Sequence, residues 1–394
     1  MGKGLADIRN KRVLKLIGLM SGTSADGLDA VLTEIEEGKE GLSVRQLGFV
    51  SLPYSQEERA EILKLAEGRE GGSKELCLFN FWLGRRSLAA CQAVCQAAGI
   101  APEKVDLVGS HGQTLYHIPA PEEYLGEQVA ATLQLGEPAV IAEGLGCPVV
   151  SDFRVRDMAA GGYGAPLVPY AEYLLYRRED RNVGLQNIGG IGNITVLPKG
   201  CGPEAVFAFD TGPGNMVMDQ LIERMTAGKQ RYDEDGRIAA SGRCSEALLR
   251  RLLDDPYLRM SPPKTTGREY YGQAYVDALT EKGRALGLSA ADMVATATRF
   301  TAECIGLSIE KHCKIKPDVL VVGGGGSRNP TLLRDLRDCL SIPVLINEDI
   351  GFDSDAKEAV AFAVMARACV LEQCNNIPSV TGAKHPVVMG KISI

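Results

Sequence analysis

Residues 18–32 read GLMSGTSADGLDAVL. Two apolar runs, 14–20 and 28–35, flank seven residues drawn only from Ser, Gly, Thr, Ala and Asp. A chain that only reverses direction needs two turn residues, typically Asn-Gly or Asp-Gly. This longer connection carries three hydroxyls and a carboxylate. Its glycines let backbone N–H groups approach an anion, and Ser21, Thr23 and Ser24 add donors for phosphate oxygens. Asp26 is placed to hold Mg2+ through water, because that ion favours a carboxylate and retained waters.

Three more glycine-rich turns follow predicted strands: NIGGIGN at 187–193, FDTGPGN at 209–215 and VVGGGGSRN at 321–329. One such turn is only a turn, but four at strand ends point to a nucleotide cleft. The strand-rich starts near 14 and 182 each enter a glycine turn and return, which predicts two related α/β halves. The division falls near 155: residues 1–155 with about 350–394 form the first half, and 156–349 the second. Strands are predicted over 14–20, 28–36, 42–52 and 105–112, and helices over 56–67, 75–98, 269–286, 290–312 and 356–371. Ser289 and Asp292 stand at capping-box spacing, and Ser327 or Asn329 is placed to cap a helix. The stretch RDMAAGGYGAPLVP, 156–169, reads as an ordered loop for its Gly and Pro.

At 394 residues the chain is long enough for two domains, and 45% hydrophobic with 24% charged residues is a globular composition. A net charge of −7 argues against a general nucleic-acid or anionic-membrane surface. The eleven cysteines show no paired framework and read as reduced thiols, mostly core filler. With no signal-like or membrane-length apolar run, the expected location is cytoplasmic. P-loop, G-x-G-x-x-G, H-E-x-x-H, C-x-x-C and G-x-S-x-G motifs are missing, and four scattered histidines make no metal cluster.

Two α/β halves with early, middle and late glycine turns resemble the superfamily of actin, hexokinase and the heat-shock chaperone ATPases. The strings GLMSGTSADGLDAVL, GSHGQTLYH, LQLGEPAVIAE, SDFRVRDMAAGGYGAPLVP, NIGGIGNITVL, FDTGPGN and PKTTGRE resemble the anhydro-N-acetylmuramic acid kinase family. The likeness runs from about residue 16 to VTGA near 380. It leaves MGKGLADIRNKR as an unmatched, loose extension, and it departs at Ala25, where the family more often carries Leu.

The resemblance implies two actin-like (ribonuclease H-like) domains around an ATP cleft. It also implies a kinase of peptidoglycan recycling that opens the 1,6-anhydro ring of its sugar with water and phosphorylates O6. An ordinary sugar kinase uses an Asp to accept the proton of the attacking hydroxyl. Here O6 is locked in an acetal and has no proton, so the base must act on a water aimed at C1. Asp210, at the end of an apolar strand and beside a helix N-terminus that should keep it ionised, matches the family's catalytic Asp. ATP is expected at Gly22, Thr23, Ser24, Ala25, Asp26, Gly27, Leu28 and Asp29, with Gly189 and Gly190, and Mg2+ at Asp26. Its adenosine is expected at Gly324, Gly325, Gly326 and Ser327. Asp152, Arg156 and Glu358 are expected near the sugar, with Arg suited to a lactyl carboxylate or, for Arg156, alternatively to the phosphate passing between the sugar and ADP. His111 and Gln113 would lie close to the sugar, and Lys264 and Thr265 on a substrate-side or nucleotide-side loop. The expected partner is the sugar, with no nucleic acid or membrane and with a homodimer left open. Rival readings are another small-molecule kinase of this fold, or a non-enzymatic actin-like or chaperone-like ATPase module.

Overall fold

In the computed structural model, which describes residues 4–38, 41–68, 72–262 and 264–394, twelve strands form two sheets. The strands are β1 (Val13–Ser21), β2 (Gly27–Gly38), β3 (Gly41–Pro53), β4 (Leu107–Tyr124), β5 (Glu127–Leu135), β6 (Val149–Ser151), β7 (Val183–Ile188), β8 (Ile191–Leu197), β9 (Phe207–Pro213), β10 (Val319–Gly323), β11 (Val344–Ile346) and β12 (Lys391–Ser393). Met1–Lys3 of the N-terminal extension and Pro263 of the PKTTGRE string lie outside the described residues.

The chain divides into two compact units, Met1–Leu175 with Asp355–Ile394, and Tyr176–Ser354. In the first, strand order is β12–β6–β4–β1–β2–β3, with β5 paired to β4. In the second it is β11–β10–β7–β8–β9. Each unit starts with an antiparallel three-strand meander whose first strand then pairs in parallel with a later one: β1 with β4, and β7 with β10. The next strand adds in parallel again, β6 on β4 and β11 on β10. The duplication suggested by the sequence is present in five strands of each unit, and β5 and β12 are additions to the first.

β1 is buried along nearly its whole length, as a central strand covered on both faces must be. One face carries Ile17 and Leu19 into a core shared with helix Ser73–Ala98. The other carries Gly18, which pairs in register with Gly109 of β4. Helix Lys357–Val370 lies flat on these two glycines: a Cβ at Gly18 would be driven into the carbonyl of Ala359, and one at Gly109 into that of Phe362. Alanines at 359, 363 and 366 give that helix the smooth face such an approach requires. This packing brings Glu358 to the wall of the first unit. The second unit gathers its core around helix Ala290–His312, which packs on β9 and on helix Pro330–Cys339.

Four sequence-based expectations need correction. Residues 156–169 are not all loop, because helices Phe153–Ala159 and Val168–Tyr176 occupy both ends. The strand at 105–112 continues to Tyr124 and turns into β5 through Leu125 and Gly126, both with positive φ. A leucine in that conformation carries no turn signal. The helix over 269–286 is broken by Gly272, whose extended backbone separates Arg268–Tyr271 from Gln273–Ala285. The N-terminal extension is not loose: Leu5–Arg9 is helical, Ile8 is buried, and Arg9 donates to the carbonyl of Val370 at 2.8 Å. None of the eleven cysteines forms a disulfide, and seven of them are buried. Among the described residues no helix is long and apolar enough to cross a membrane.

The capping box of helix Ala290–His312 forms as spaced, with Ser289 Oγ accepting from Asp292 N at 3.1 Å and Asp292 closing back on Ser289. Ser289→Ala is expected to cost about 1 kcal/mol in urea unfolding, the usual worth of an N-cap. Asn329, not Ser327, caps the helix after β10, accepting from Leu332 N at 3.0 Å.

Candidate active site

In the first unit, the β1–β2 connection is clamped at its base and open at its crown. Ser21 Oγ donates to Gln113 Oε1 at 2.6 Å, Gln113 Nε2 donates to the Gly22 carbonyl at 3.1 Å, and Tyr54 N donates to the Asp26 carbonyl at 3.0 Å. Thr23, Ser24 and Asp26 remain exposed, with Ser24 Oγ donating to Asp26 Oδ1 at 2.9 Å. Ala25 has φ +50° and is fully buried, so its methyl turns into the core beneath Leu28, away from the exposed hydroxyls. Asp29, half-buried, has its carboxyl pushed up by burial; the Ser51 hydroxyl offsets this, and Asp26 and Asp355 add to it. Among the described residues no group of three His, Cys, Asp or Glu is arranged to hold a metal. Mg2+ needs no such cage when phosphate oxygens and waters complete its shell. Asp26 and Asp29, two carboxylates of one hairpin, fit that demand.

The base of the hairpin is also tied to His111. Its Nδ1 lies 2.8 Å from the Gly112 carbonyl and 3.2 Å from that of Ser21, while Nε2 faces Arg154 Nε at 3.1 Å and Nη2 at 2.9 Å. A guanidinium only donates, so Nε2 must accept and the proton sits on Nδ1. Burial and the Arg154 charge push the imidazole down to about 3. His111 is therefore neutral, and it braces the hairpin instead of shuttling protons. Below the ordinary value of 6.5 the unfolded chain takes up this proton first, so His111 costs stability progressively as pH falls from 6.5 toward 3. His111→Gln is expected to flatten the melting-temperature profile across that window; an unchanged slope would contradict the assignment.

The SDFRVRD residues separate by role. Asp152 stands at the start of helix Phe153–Ala159 with φ +55°, its carboxylate paired to Lys391 Nζ at 2.8 Å. It lines a cavity of about 150 Å3 together with His111, Gln134, Glu137 and Ser151. Arg154 is committed to His111 and to the Gly164 carbonyl at 2.7 Å. Arg156 is exposed, and its guanidinium has no partner among the described residues. Asp157 is fully buried and accepts from Gly164 N, Asn376 Nδ2 and Thr381 Oγ1 at 2.9, 2.8 and 2.7 Å, which makes it a structural tie. Glu358 lies in the first turn of its helix, where negative charge is favoured. Burial by the surrounding protein pushes its carboxyl up, and the charges of Lys357 and Arg154 offset this.

In the second unit, Asp210 lies within β9, opposite Asn193, and not at the strand's end as expected. Nor does a helix N-terminus hold it. The entry to helix Met216–Met225 is bound to the glycine turn: Gly214 N and Met216 N, the first N–H of the helix, donate to the Gly190 carbonyl at 2.9 and 3.1 Å, and Asn215 N to that of Gly189 at 2.7 Å. Asp210 Oδ2 instead accepts from Thr265 Oγ1 at 2.8 Å and Thr266 N at 3.0 Å. Burial pushes the carboxyl up, and the Thr266 N–H, the Thr265 hydroxyl and Lys264 offset it. Oδ1 takes no hydrogen bond from the described residues.

The three glycine turns of this unit interlock. A Cβ at Gly324, where φ is +78°, would press on Asn187 and the Ile188 carbonyl, and one at Gly214 on that of Gly189. Ser327 Oγ closes the third turn on the Gly324 carbonyl at 2.7 Å. The helix this turn enters lines a cavity of about 430 Å3 with Thr331 and Arg334, opposite Cys244, Arg299 and Glu303. Thr266 and Tyr257, whose hydroxyl donates to the Asp210 carbonyl at 2.8 Å, went unnoticed in the sequence. The Thr-Thr pair in PKTTGRE was the available signal.

Two ribonuclease H-like units, one opening on a hydroxyl-lined hairpin and the other holding three interlocked glycine turns, define an actin-like fold. The profile of anhydro-N-acetylmuramic acid kinase matches residues 14–394. The chain belongs to the anhydro-N-acetylmuramic acid kinase family. It is 51% identical over 393 residues to the protein of that name from Caldanaerobacter subterraneus subsp. tengcongensis, covering 99% of each chain. It is 43% identical over 380 residues to the one from Clostridioides difficile, covering 96% of this chain and 97% of that protein.

Proposed function

We propose that this protein uses ATP to phosphorylate O6 of 1,6-anhydro-N-acetylmuramic acid while water opens the anhydro bridge. The products are N-acetylmuramic acid 6-phosphate and ADP. The observation that carries the reading is the state of Asp210: one carboxylate oxygen is fixed by Thr265 and Thr266, and the other is free to take a proton. Burial raises this carboxyl above its ordinary value, which makes it a stronger proton acceptor, as general-base catalysis requires.

In the reaction, Asp210 takes a proton from water as the hydroxide adds to C1. The C1–O6 bond breaks, and its electron pair goes to O6. O6 attacks the γ-phosphoryl group, and the bond to the β-phosphate oxygen breaks to release ADP. Backbone N–H groups and hydroxyls of Gly22–Ser24 hold the phosphates, with Ala25, Gly27 and Leu28 setting the shape of the hairpin. Asp26 and Asp29 would hold Mg2+, which neutralises phosphate charge when bound. Gly189 and Gly190 take part in binding ATP, and Gly324–Ser327 take the adenosine. Arg156, uncommitted and exposed, meets the lactyl carboxylate, with Asp152 and Glu358 on the sugar's hydroxyl and acetamido groups.

An ADP-release assay tests the reading. Release that depends on the anhydro sugar supports it. Release with an ordinary hexose carrying a free 6-hydroxyl would favour another kinase of this fold. Substrate-independent release would favour an ATPase module.

A further inference from the structure

Lys264 is buried, with 7% of its surface exposed, yet no carboxylate among the described residues lies within ion-pair reach of its Nζ. The ammonium sits 4.6 Å from the centre of the Tyr257 ring and 5.9 Å from that of Phe209, with the Tyr257 carbonyl at 3.5 Å. Burying a cation this way is costly, and a lysine there for packing alone would be served as well by an apolar chain. Its ammonium and the Asp210 carboxylate act on each other electrostatically, and the backbone of the same segment is tied to Asp210. The Lys264 carbonyl accepts from Asp210 N at 3.2 Å, the next two residues supply both donors to Asp210 Oδ2, and Tyr257 grips the Asp210 carbonyl.

We propose that Lys264 is a positioning residue for Asp210, its caged ammonium supplying the positive field that holds the carboxylate in proton-accepting form. This rests on the reading of Asp210 as the base. The other titratable groups facing Lys264 are Asp255 and Cys304. Asp255 Oδ1 already accepts from Tyr257 N at 2.9 Å and Tyr270 OH at 2.6 Å, while burial drives the Cys304 thiol up and keeps it neutral. Asn193, across the ladder from Asp210, carries no charge. The arrangement gives the carboxylate donors on one oxygen, a buried cation acting on it electrostatically, and an open second oxygen.

The test is kcat/KM against pH for Lys264→Met, with Lys264→Gln as a second variant and ADP affinity as the check on folding. Losing the cation makes Asp210 easier to protonate, so the acid limb moves to higher pH. For a displacement of one pH unit, kcat/KM far down the acid limb, relative to its plateau at high pH, falls about tenfold further than in the parent protein. Loss by the same factor on the acid limb and on the plateau, or no loss, would overturn the proposal. Failure of both variants to hold ADP would mark Lys264 as structural and overturn it equally. Asp210→Asn, run alongside, separates the two claims. If it stays active, the base assignment itself fails; if it is inactive while the lysine variants keep the parent profile, only the role of Lys264 fails.

Discussion

Asp210→Asn lowers kcat by about three to four powers of ten, the upper range for loss of a general base, and leaves ATP affinity within a few-fold. The magnitude follows from what asparagine keeps and loses. Its side-chain carbonyl still accepts from Thr265 Oγ1 and Thr266 N, so the group stays in place. The open position becomes an amide N–H2 that cannot take a proton from water. Steady-state ADP release and a nucleotide titration read the two halves of the result. In the parent protein, burial places the Asp210 carboxyl above its ordinary 3.8, so the rate declines on acidification earlier than for an exposed aspartate. Near-normal turnover in the variant would remove Asp210 from the base role.

Gly18→Val is the second large effect, and it acts on folding. The helix backbone at Ala359 occupies the space a side chain at 18 would need, and Gly109 beside it leaves no room for the helix to tilt away. Overpacking usually costs about 1–3 kcal/mol when side chains yield, and more where backbone must move. Here the obstacle is a helical carbonyl, so about 5 kcal/mol is expected, comparable to the whole stability of many domains. Soluble yield and urea unfolding measure it. Gly22→Ala is the contrast: the nearest neighbour of an added Cβ is Ser24 Oγ at 3.7 Å, so the protein folds and the effect falls on KM for ATP.

These cases show what the sequence carried. Periodicity and turn chemistry located the strands on both sides of the hairpin and the helices at 56–66, 290–312 and 357–370, because burial and capping act locally. The duplicated topology was visible from two strand–glycine-turn–strand starts. What stayed hidden depends on contacts distant in sequence. Nothing local says that Gly18 and Gly109 are neighbours under one helix, or that Thr265 and Thr266 close on a carboxylate 55 and 56 residues upstream. The neighbourhood of Asp210 was misjudged for the same reason. The helix after it looked available to a carboxylate, yet the Asp210 carboxylate takes its hydrogen bonds from Thr265 and Thr266, and the carbonyls of Gly189 and Gly190 bind the chain where it enters that helix. SDFRVRD looked like one binding cluster, yet Asp157 and Arg154 are committed to the fold and Asp152 and Arg156 are not buried with them.

The central claim is that water activated at residue 210 adds to C1 while the sugar keeps O6 and hands it to phosphorus. Turnover in 18O-labelled water, quenched rapidly and compared with unlabelled product exposed to the same water, tests this most directly. The account predicts one heavy oxygen per product, at C1, and none on the phosphate. Label in the phosphate, or an unlabelled C1, would contradict it.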